Sequence, residues 1–352
     1  MKYLHSRLAL AAALSIASVG AQAQAIINNS EVRLGVGAFG ALNVSGGTAA
    51  TGSGTSTVGL RSVRTNSDST SPGCECEGWG VGLRSTGQFG QSNNDVGGVQ
   101  NLSLVSFTST ASTAVSVVDM TGGLRVSHDY HPIAGTPYLY EVLVSITNNT
   151  GNKLASGDLV YRRVMDWDIP NPGRESVSIK GVPVALGLAN GSNLYRSDNN
   201  GFNPGNPFSF SPFGLTNINF DNAHGDIGAL FDFEFEALDA GATRVFATYY
   251  GVAPDKASAD SARSLVDGDA SDVEIGLYSY GSCASGTVGS DSCVETTGAP
   301  DTFIFGFGAA GGVLVPPPPP PPGTGVPEPT SIALLGLALA AIGATRRRKS
   351  AA

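Results

Sequence analysis

A strict two-residue alternation is the feature that most constrains the fold of this chain. Residues 231–236 read Phe-Asp-Phe-Glu-Phe-Glu, which places three rings on one side of an extended strand and three carboxylates on the other. A helix would scatter these residues around its axis. The pattern therefore predicts a strand with Phe231, Phe233 and Phe235 buried and the three carboxylates in solvent.

Similar alternation recurs through the middle of the chain and predicts a β-rich body. One helix is expected at residues 254–267, which begin with Pro254, are rich in alanine and precede Gly268. Together these elements predict an all-β fold, mainly an antiparallel β-sandwich with one short helix, over residues 76–315, after a Gly/Ser/Thr-rich lead-in at 24–75. The other predicted strands are 102–108, 114–119, 123–130, 141–147, 160–169, 243–250, 272–280 and 302–307.

Residues 1–23 have the pattern of a secretory signal peptide. Lys2 and Arg7 form the charged start, residues 8–19 an apolar run, and small residues precede a cleavage site between Ala23 and Gln24. The apolar run is too short to span a bilayer stably. We therefore expect export through the Sec translocon and cleavage by signal peptidase.

The other end of the chain combines a stiff linker with a membrane segment. Seven consecutive prolines open a polyproline linker at residues 316–325. An apolar helix is predicted at 331–345, and a basic cluster follows it, which keeps that end cytoplasmic. The uninterrupted apolar stretch is only about 13 residues long, which favours a transient anchor over an ordinary, permanent tail anchor. The basic cluster is Arg346, Arg347, Arg348 and Lys349.

The triad Pro327, Glu328 and Pro329, followed by the apolar helix and the Arg-rich end, resembles the PEP-CTERM sorting signal of Gram-negative bacteria. In that family a membrane-embedded exosortase processes the protein near the triad, and members are associated with exopolysaccharide and biofilm formation. The resemblance implies a precursor anchored in the inner membrane and then sorted to the cell surface or extracellular matrix. It covers residues 326–352 and implies sorting rather than an activity.

The charge of the body excludes one class of partner. Residues 24–325 carry 28 acidic and 14 basic side chains, a formal charge of about −14. Nucleic-acid binding requires clustered Lys and Arg, so no nucleic-acid partner is expected. Such a body should instead repel anionic polymers and attract divalent cations.

Four cysteines, Cys74, Cys76, Cys283 and Cys293, indicate disulfides in an exported chain. Cys283 and Cys293 flank a Gly/Ser-rich segment and are suited to a local bridge. Cys74 and Cys76 lie too close in sequence for an easy mutual bridge, and cross-links between the two pairs remain open. A zinc site of four thiolates is the competing interpretation, although the spacing departs from the usual zinc pattern.

Asp166 and Asp168 flank Trp167 and are the strongest catalytic candidates. On an extended strand their carboxylates would lie about 7 Å apart, a separation that suits an inverting glycosidase. Arg162 projects from the same face and Arg163 is close, so a salt-bridged structural strand is the simpler interpretation.

A second acidic group, Asp267, Asp269 and Asp272, follows the predicted helix. The negative end of the helix dipole disfavours carboxylates there, and a bound Ca²⁺ would offset that repulsion. The loop does not match the EF-hand pattern, so it is a weak Ca²⁺ candidate beside a plain solvated loop. No other metal or cofactor is predicted.

Four segments of the body resemble a module of other exported bacterial proteins, a resemblance that names no mechanism. Two classes of function remain. The first is a non-enzymatic surface or matrix protein, and the second is a secreted carbohydrate-binding or carbohydrate-active protein. The lack of a catalytic motif such as H-E-x-x-H or G-x-S-x-G favours the first. The four segments are residues 74–80, 129–132, 161–168 and 302–307.

Overall fold

β-Strands make up most of the chain described by the computed structural model, which covers residues 24–169, 175–266, 276–283 and 301–315. Within these residues there are seventeen strands, one α-helix, α1 (Lys256–Val266), and one 3₁₀ turn at Leu188–Asn190. The strands are β1 (Gln24–Asn28), β2 (Val32–Gly37), β3 (Leu60–Ser62), β4 (Gly78–Leu83), β5 (Gln88–Asn93), β6 (Leu102–Ser109), β7 (Ala114–Met120), β8 (Leu124–Pro132), β9 (Leu139–Asn148), β10 (Leu159–Asp166), β11 (Glu175–Lys180), β12 (Leu194–Asp198), β13 (Phe220–Gly225), β14 (Gly228–Glu234), β15 (Thr243–Ala253), β16 (Leu277–Cys283) and β17 (Thr302–Val315).

Antiparallel pairing joins these strands into three sheets. The first has the order β1-β2-β3, and the second has the order β12-β14-β10-β4-β5. The third has nine strands in the order β13-β11-β16-β17-β15-β9-β8-β7-β6. Every pair of strands formed by the described residues is antiparallel. The prediction of a mainly antiparallel, all-β fold with one helix is confirmed.

An aromatic core lies between the five-stranded and the nine-stranded sheets. Phe231 and Phe233 of β14 contact Phe307 of β17, with ring centroids 5.0 and 4.8 Å apart. Phe235, just after β14, lies 5.3 Å from Phe246 of β15. All five side chains are buried, as the alternation predicts for the three on and after β14. Two sheets that share one core in this way have the packing of a β-sandwich.

The carboxylates of the same alternating run differ in their surroundings. Glu236 is exposed and Glu234 is half-buried, but Asp232 is fully buried. The prediction that all three face solvent was therefore wrong for Asp232. It pairs in register with Arg162 of β10, and both side chains are withdrawn from solvent.

The segment of residues 199–219 covers this outer face of the five-stranded sheet. The Nη1 group of Arg162 donates hydrogen bonds to the main-chain carbonyls of Pro204, Asn206 and Ser209, at 2.6–3.0 Å. The two-residue alternation of apolar and polar residues indicates only that a strand has two different faces. It cannot reveal that an irregular segment distant in sequence covers the polar one.

Residues 24–75, predicted as a lead-in, supply strands β1 to β3 and several core side chains. Ile27 and Leu34 are fully buried in the main hydrophobic core. A buried ion pair orders the polar loops, since Arg61 Nε lies 2.9 Å from a carboxylate oxygen of Asp68. The Gly/Ser/Thr-rich composition does not predict these contacts, because the apolar runs are short and the polar groups form hydrogen bonds and ion pairs with one another.

Several predicted features lie outside the residues that the structure describes. In the described part of the chain, no helix is both long enough and apolar enough to cross a membrane. The features outside the described residues are the signal peptide (1–23), the acidic loop with Asp267, Asp269 and Asp272, Cys293, the polyproline linker (316–325) and the sorting signal (326–352) with its helix at 331–345.

Candidate functional site

Strand β10 carries charged side chains into the interior on both of its faces. Arg162, on the outer face, binds Asp232 in a bidentate pair, with Nε–Oδ1 and Nη2–Oδ2 distances of 2.6 and 2.8 Å. Nη1 of Arg196 lies 3.2 Å from Oδ2 of the same carboxylate. The donors of Arg162 are used within the fold, so this residue has a structural role.

Arg163 points to the opposite face, into the core. Its Nε lies 2.7 Å from Glu77 and 2.6 Å from the hydroxyl of Tyr250, which itself donates to Glu77 at 2.6 Å. Its Nη2 donates to the hydroxyl of Tyr130 at 3.2 Å. Burial raises the pKa of Tyr130 to about 12, which keeps that hydroxyl neutral. The ion pair and the tyrosines form a connected, satisfied network between the sheets.

The histidines of β8 do not form a site. His128 is fully buried against Trp79, with ring centroids 4.5 Å apart, and burial lowers its pKa well below the usual value. His131 lies on the other face, partly exposed, with Nε2 2.7 Å from a carboxylate oxygen of Glu141. Both positions fit structural histidines.

Three aspartates come together where β10 ends. One carboxylate oxygen from each of Asp166, Asp168 and Asp226 lies within 4.8 Å of the other two. Asp166 and Asp168 are only 1% and 0% exposed, whereas Asp226 is exposed. No oxygen of the Asp166 or Asp168 side chains has a hydrogen-bond partner by distance and angle. We call these three residues the aspartate cluster.

The topology explains why these residues meet. The chain crosses from the five-stranded to the nine-stranded sheet between β10 and β11, and a later crossing joins β13 to β14. Asp166 pairs in register with Gly228, and Glu175 pairs with Gly225. The turn at residues 225–228, which contains Asp226, therefore lies beside the connection that contains Asp166.

The pKa values of the two buried members are strongly raised. Burial raises the pKa of Asp166 to about 8, and the charges of Asp226 and Glu175 act in the same direction. The N–H of Trp167 opposes them and is the weakest of these influences. Burial likewise raises the pKa of Asp168 to about 9, with Asp166 and Glu175 as the next causes.

Two predictions about this site were wrong. Arg162 and Arg163 do not pair with Asp166 or Asp168, because each arginine has another carboxylate partner. The separation of about 7 Å assumed a regular strand, but β10 ends at Asp166 and oxygens of the two side chains lie within 4.8 Å. Asp226 was missed because it is sixty positions from Asp166 in the sequence and no local spacing links them.

The structure pairs Cys74 with Cys76, the bridge that their short sequence separation disfavours. Here the Cα atoms are 5.1 Å apart, inside the range that a disulfide spans. Cys283 is also disulfide-bonded, and Cys293 lies outside the described residues.

Comparison with known families places a sorting function at the C-terminus. The PEP-CTERM protein-sorting motif matches residues 325–349, which include Pro327, Glu328, Pro329 and the basic cluster. The resemblance inferred from the sequence is confirmed. The motif implies an exported protein with a membrane-anchored precursor and an exosortase as its processing partner. No curated protein matches the chain.

Proposed function

We propose that this chain is a non-enzymatic protein of the cell surface or extracellular matrix, associated with exopolysaccharide. The sorting motif at residues 325–349 is the observation that carries the proposal. In this scheme signal peptidase cleaves between Ala23 and Gln24 after passage through the Sec translocon. Exosortase then processes the anchored precursor near Pro327, Glu328 and Pro329.

The properties of the body support this proposal. A stable antiparallel fold with a formal charge of about −14 remains soluble outside the cell. Repulsion between like charges keeps the body from binding anionic polymers directly. Any contact with acidic exopolysaccharide would therefore be mediated by divalent cations or made to neutral sugars.

The position of the candidate catalytic carboxylates also favours a non-enzymatic role. Asp166 and Asp168 are 1% and 0% exposed, so a polysaccharide chain has no direct access to them. A glycosidase needs both carboxyl groups beside the scissile bond. Neither side chain is placed for that reaction.

The sorting step is tested by following tagged protein in cells with and without exosortase. Wild type should lose its tail, whereas membrane-bound precursor should accumulate without exosortase and in a variant with Pro327→Ala, Glu328→Ala and Pro329→Ala. A matched control changes Pro317, Pro318 and Pro319 to Ala, which alters the linker and leaves the triad intact. The control should be processed like wild type. Equal size and equal membrane fraction in all four samples would show that the tail is a simple anchor.

Carbohydrate binding is a second candidate, favoured by one observation. The segment 199–219 exposes three aromatic side chains, Phe202, Phe208 and Phe213, which are 38%, 39% and 54% exposed. Exposed apolar groups gathered on one segment are typical of a binding surface.

This second candidate predicts that Phe213→Ala weakens retention of the full-length protein on exopolysaccharide. Leu265→Ala, which truncates a 62% exposed side chain on α1, should not. Equal retention of both variants and wild type would remove this candidate. Hydrolysis of polysaccharides by the wild type, abolished by Asp166→Asn, would instead replace the non-enzymatic proposal.

A further inference from the structure

The aspartate cluster has no role in sorting, and the described contacts of the fold do not explain it. Asp166 and Asp168 are almost fully withdrawn from water, and none of their four oxygens has a hydrogen-bond partner. Buried polar groups are normally hydrogen-bonded, and buried charges are paired or bind metals. Other buried carboxylates in or beside this sheet follow that rule. Asp232 and Glu77 each have an arginine partner, and Asp198 accepts hydrogen bonds from main-chain N–H groups and a threonine hydroxyl. The contrast identifies Asp166 and Asp168 as groups with a missing partner.

The three carboxylate groups indicate which class of partner would fit the cluster. All three ligand groups are carboxylates, which suit hard cations such as Ca²⁺ and Mg²⁺ and lack the nitrogen or sulfur that zinc prefers. Two oxygens that each lie about 2.4 Å from one Ca²⁺ are at most about 4.8 Å apart. The three oxygens of the cluster lie within 4.8 Å of one another, a spacing near the upper limit for one shared Ca²⁺. Mg²⁺, with bonds of about 2.0–2.1 Å, requires a tighter and more regular arrangement.

The surroundings of the cluster hold the Asp166 side chain in place and add negative charge. The main chain at Gly201 lies against Asp166, because a Cβ added there would be 2.6 Å from Oδ1 of that side chain. Glu175 adds a fourth negative charge nearby, and its Oε1 accepts a hydrogen bond from the N–H of Ile227 at 3.1 Å. Since Asp226 is exposed, the cluster opens to solvent on one side and a cation has a route of entry.

We propose that Asp166, Asp168 and Asp226 bind a hard divalent cation, Ca²⁺, which ties together two of the connections between the sheets. The ion neutralises the buried carboxylates and fixes the turn at 225–228 to the end of β10. Water completes the coordination, as in many calcium sites. This site does not depend on tail processing and would exist in the precursor and in the processed protein alike.

The test uses the full-length protein, purified in detergent, stripped with EDTA and titrated with CaCl₂ or MgCl₂. Calorimetry should report one Ca²⁺ per chain with a Kd on the order of 10⁻⁴ to 10⁻³ M, as in other extracellular calcium modules. At about a hundredfold excess over Kd, Ca²⁺ should raise the melting temperature by about 3–6 °C. No thermal shift and no binding heat at about 10 mM Ca²⁺ would overturn the proposal, and a response to Mg²⁺ alone would overturn the assignment to Ca²⁺.

Variants distinguish this site from general attraction of cations to an acidic protein. The double variant Asp166→Asn/Asp168→Asn should lose the thermal shift, and Asp226→Asn should weaken binding at least about tenfold. The exposed position of Asp226 makes that variant safe for folding. Asp239→Asn is the matched control, because it removes the same charge from an exposed pair with Lys153. Unchanged Ca²⁺ binding in the double variant, or an equal loss in the control, would contradict the proposal.

Discussion

At the scale of single residues, burial decides what each charged side chain of this protein can do. Arg163 and Glu77 are completely buried and 2.7 Å apart, whereas Arg125 and Asp119 form an equally short pair that is almost half exposed. The desolvated pair cannot lose one member without leaving the other charge in the core. The exposed pair can replace its partner with water.

We therefore expect Arg163→Ala to reduce the free energy of unfolding by about 3–5 kcal/mol. Arg125→Ala, the matched exposed control, should reduce it by less than about 1 kcal/mol. Urea denaturation followed by tryptophan fluorescence measures both values, since Trp79 and Trp167 are buried. Similar losses in the two variants would show that the Arg163 network is not a rigid part of the core.

The cation-free protein should also depend on pH through the aspartate cluster. Burial raises the pKa values of Asp166 and Asp168 to about 8 and about 9, and the acidic Asp226, Glu175 and Asp68 reinforce one or both shifts. The folded state therefore holds these protons more tightly than the unfolded chain does. Their contribution to stability is fully present below about pH 4 and is lost as the pH rises towards 8–9.

The measurement compares wild type with Asp166→Asn/Asp168→Asn, both in EDTA, at several pH values between about 4 and 8. The free energy of unfolding of wild type should fall relative to the variant by up to about 1.4 kcal/mol per pH unit for each carboxyl. Added Ca²⁺ should restore wild type most strongly at the high end of this range. Parallel curves for the two proteins would contradict the raised pKa values.

At the scale of elements, two-residue alternation predicted the strands well, because one face of each strand packs against the core and carries its apolar residues. The observed β7, β8, β9 and β15 overlap their predicted ranges closely. The lead-in and the segment 199–219 could not be predicted, since they are held by long-range polar contacts with no local period. The aspartate cluster belongs to this second group, because two connections that are distant in the sequence create it.

The alternating run on β14 makes a specific prediction about packing. Phe233 is 1% exposed and contacts the rings of Phe246 and Phe307 across the sandwich. Phe233→Ala should cost about 3–5 kcal/mol of unfolding free energy, because a large cavity would remain between the sheets. Glu236→Ala, which truncates an exposed side chain three residues away, should cost less than about 1 kcal/mol. A small loss for Phe233→Ala would contradict the packed core described above.

At the scale of the whole molecule, sorting and charge are linked. In the proposed scheme, loss of Lys2 and Arg7 with the signal peptide takes the formal charge from −9 to −11. Cleavage just before Glu328 would then remove that carboxylate and the four basic residues 346–349, which leaves −14. In this scheme processing removes the predicted membrane helix and the basic cluster together.

This link predicts that the released protein is both smaller and more acidic than its precursor. Two-dimensional electrophoresis of membrane and extracellular fractions should show the membrane form near −11 and the released form shifted towards the acidic side. Treating the membrane fraction with a general protease is the control, because cuts elsewhere would not reproduce that single shifted spot. A released form with the precursor's charge would place the cut after the basic cluster or show that the tail is retained. In that case the triad would not mark the site of processing.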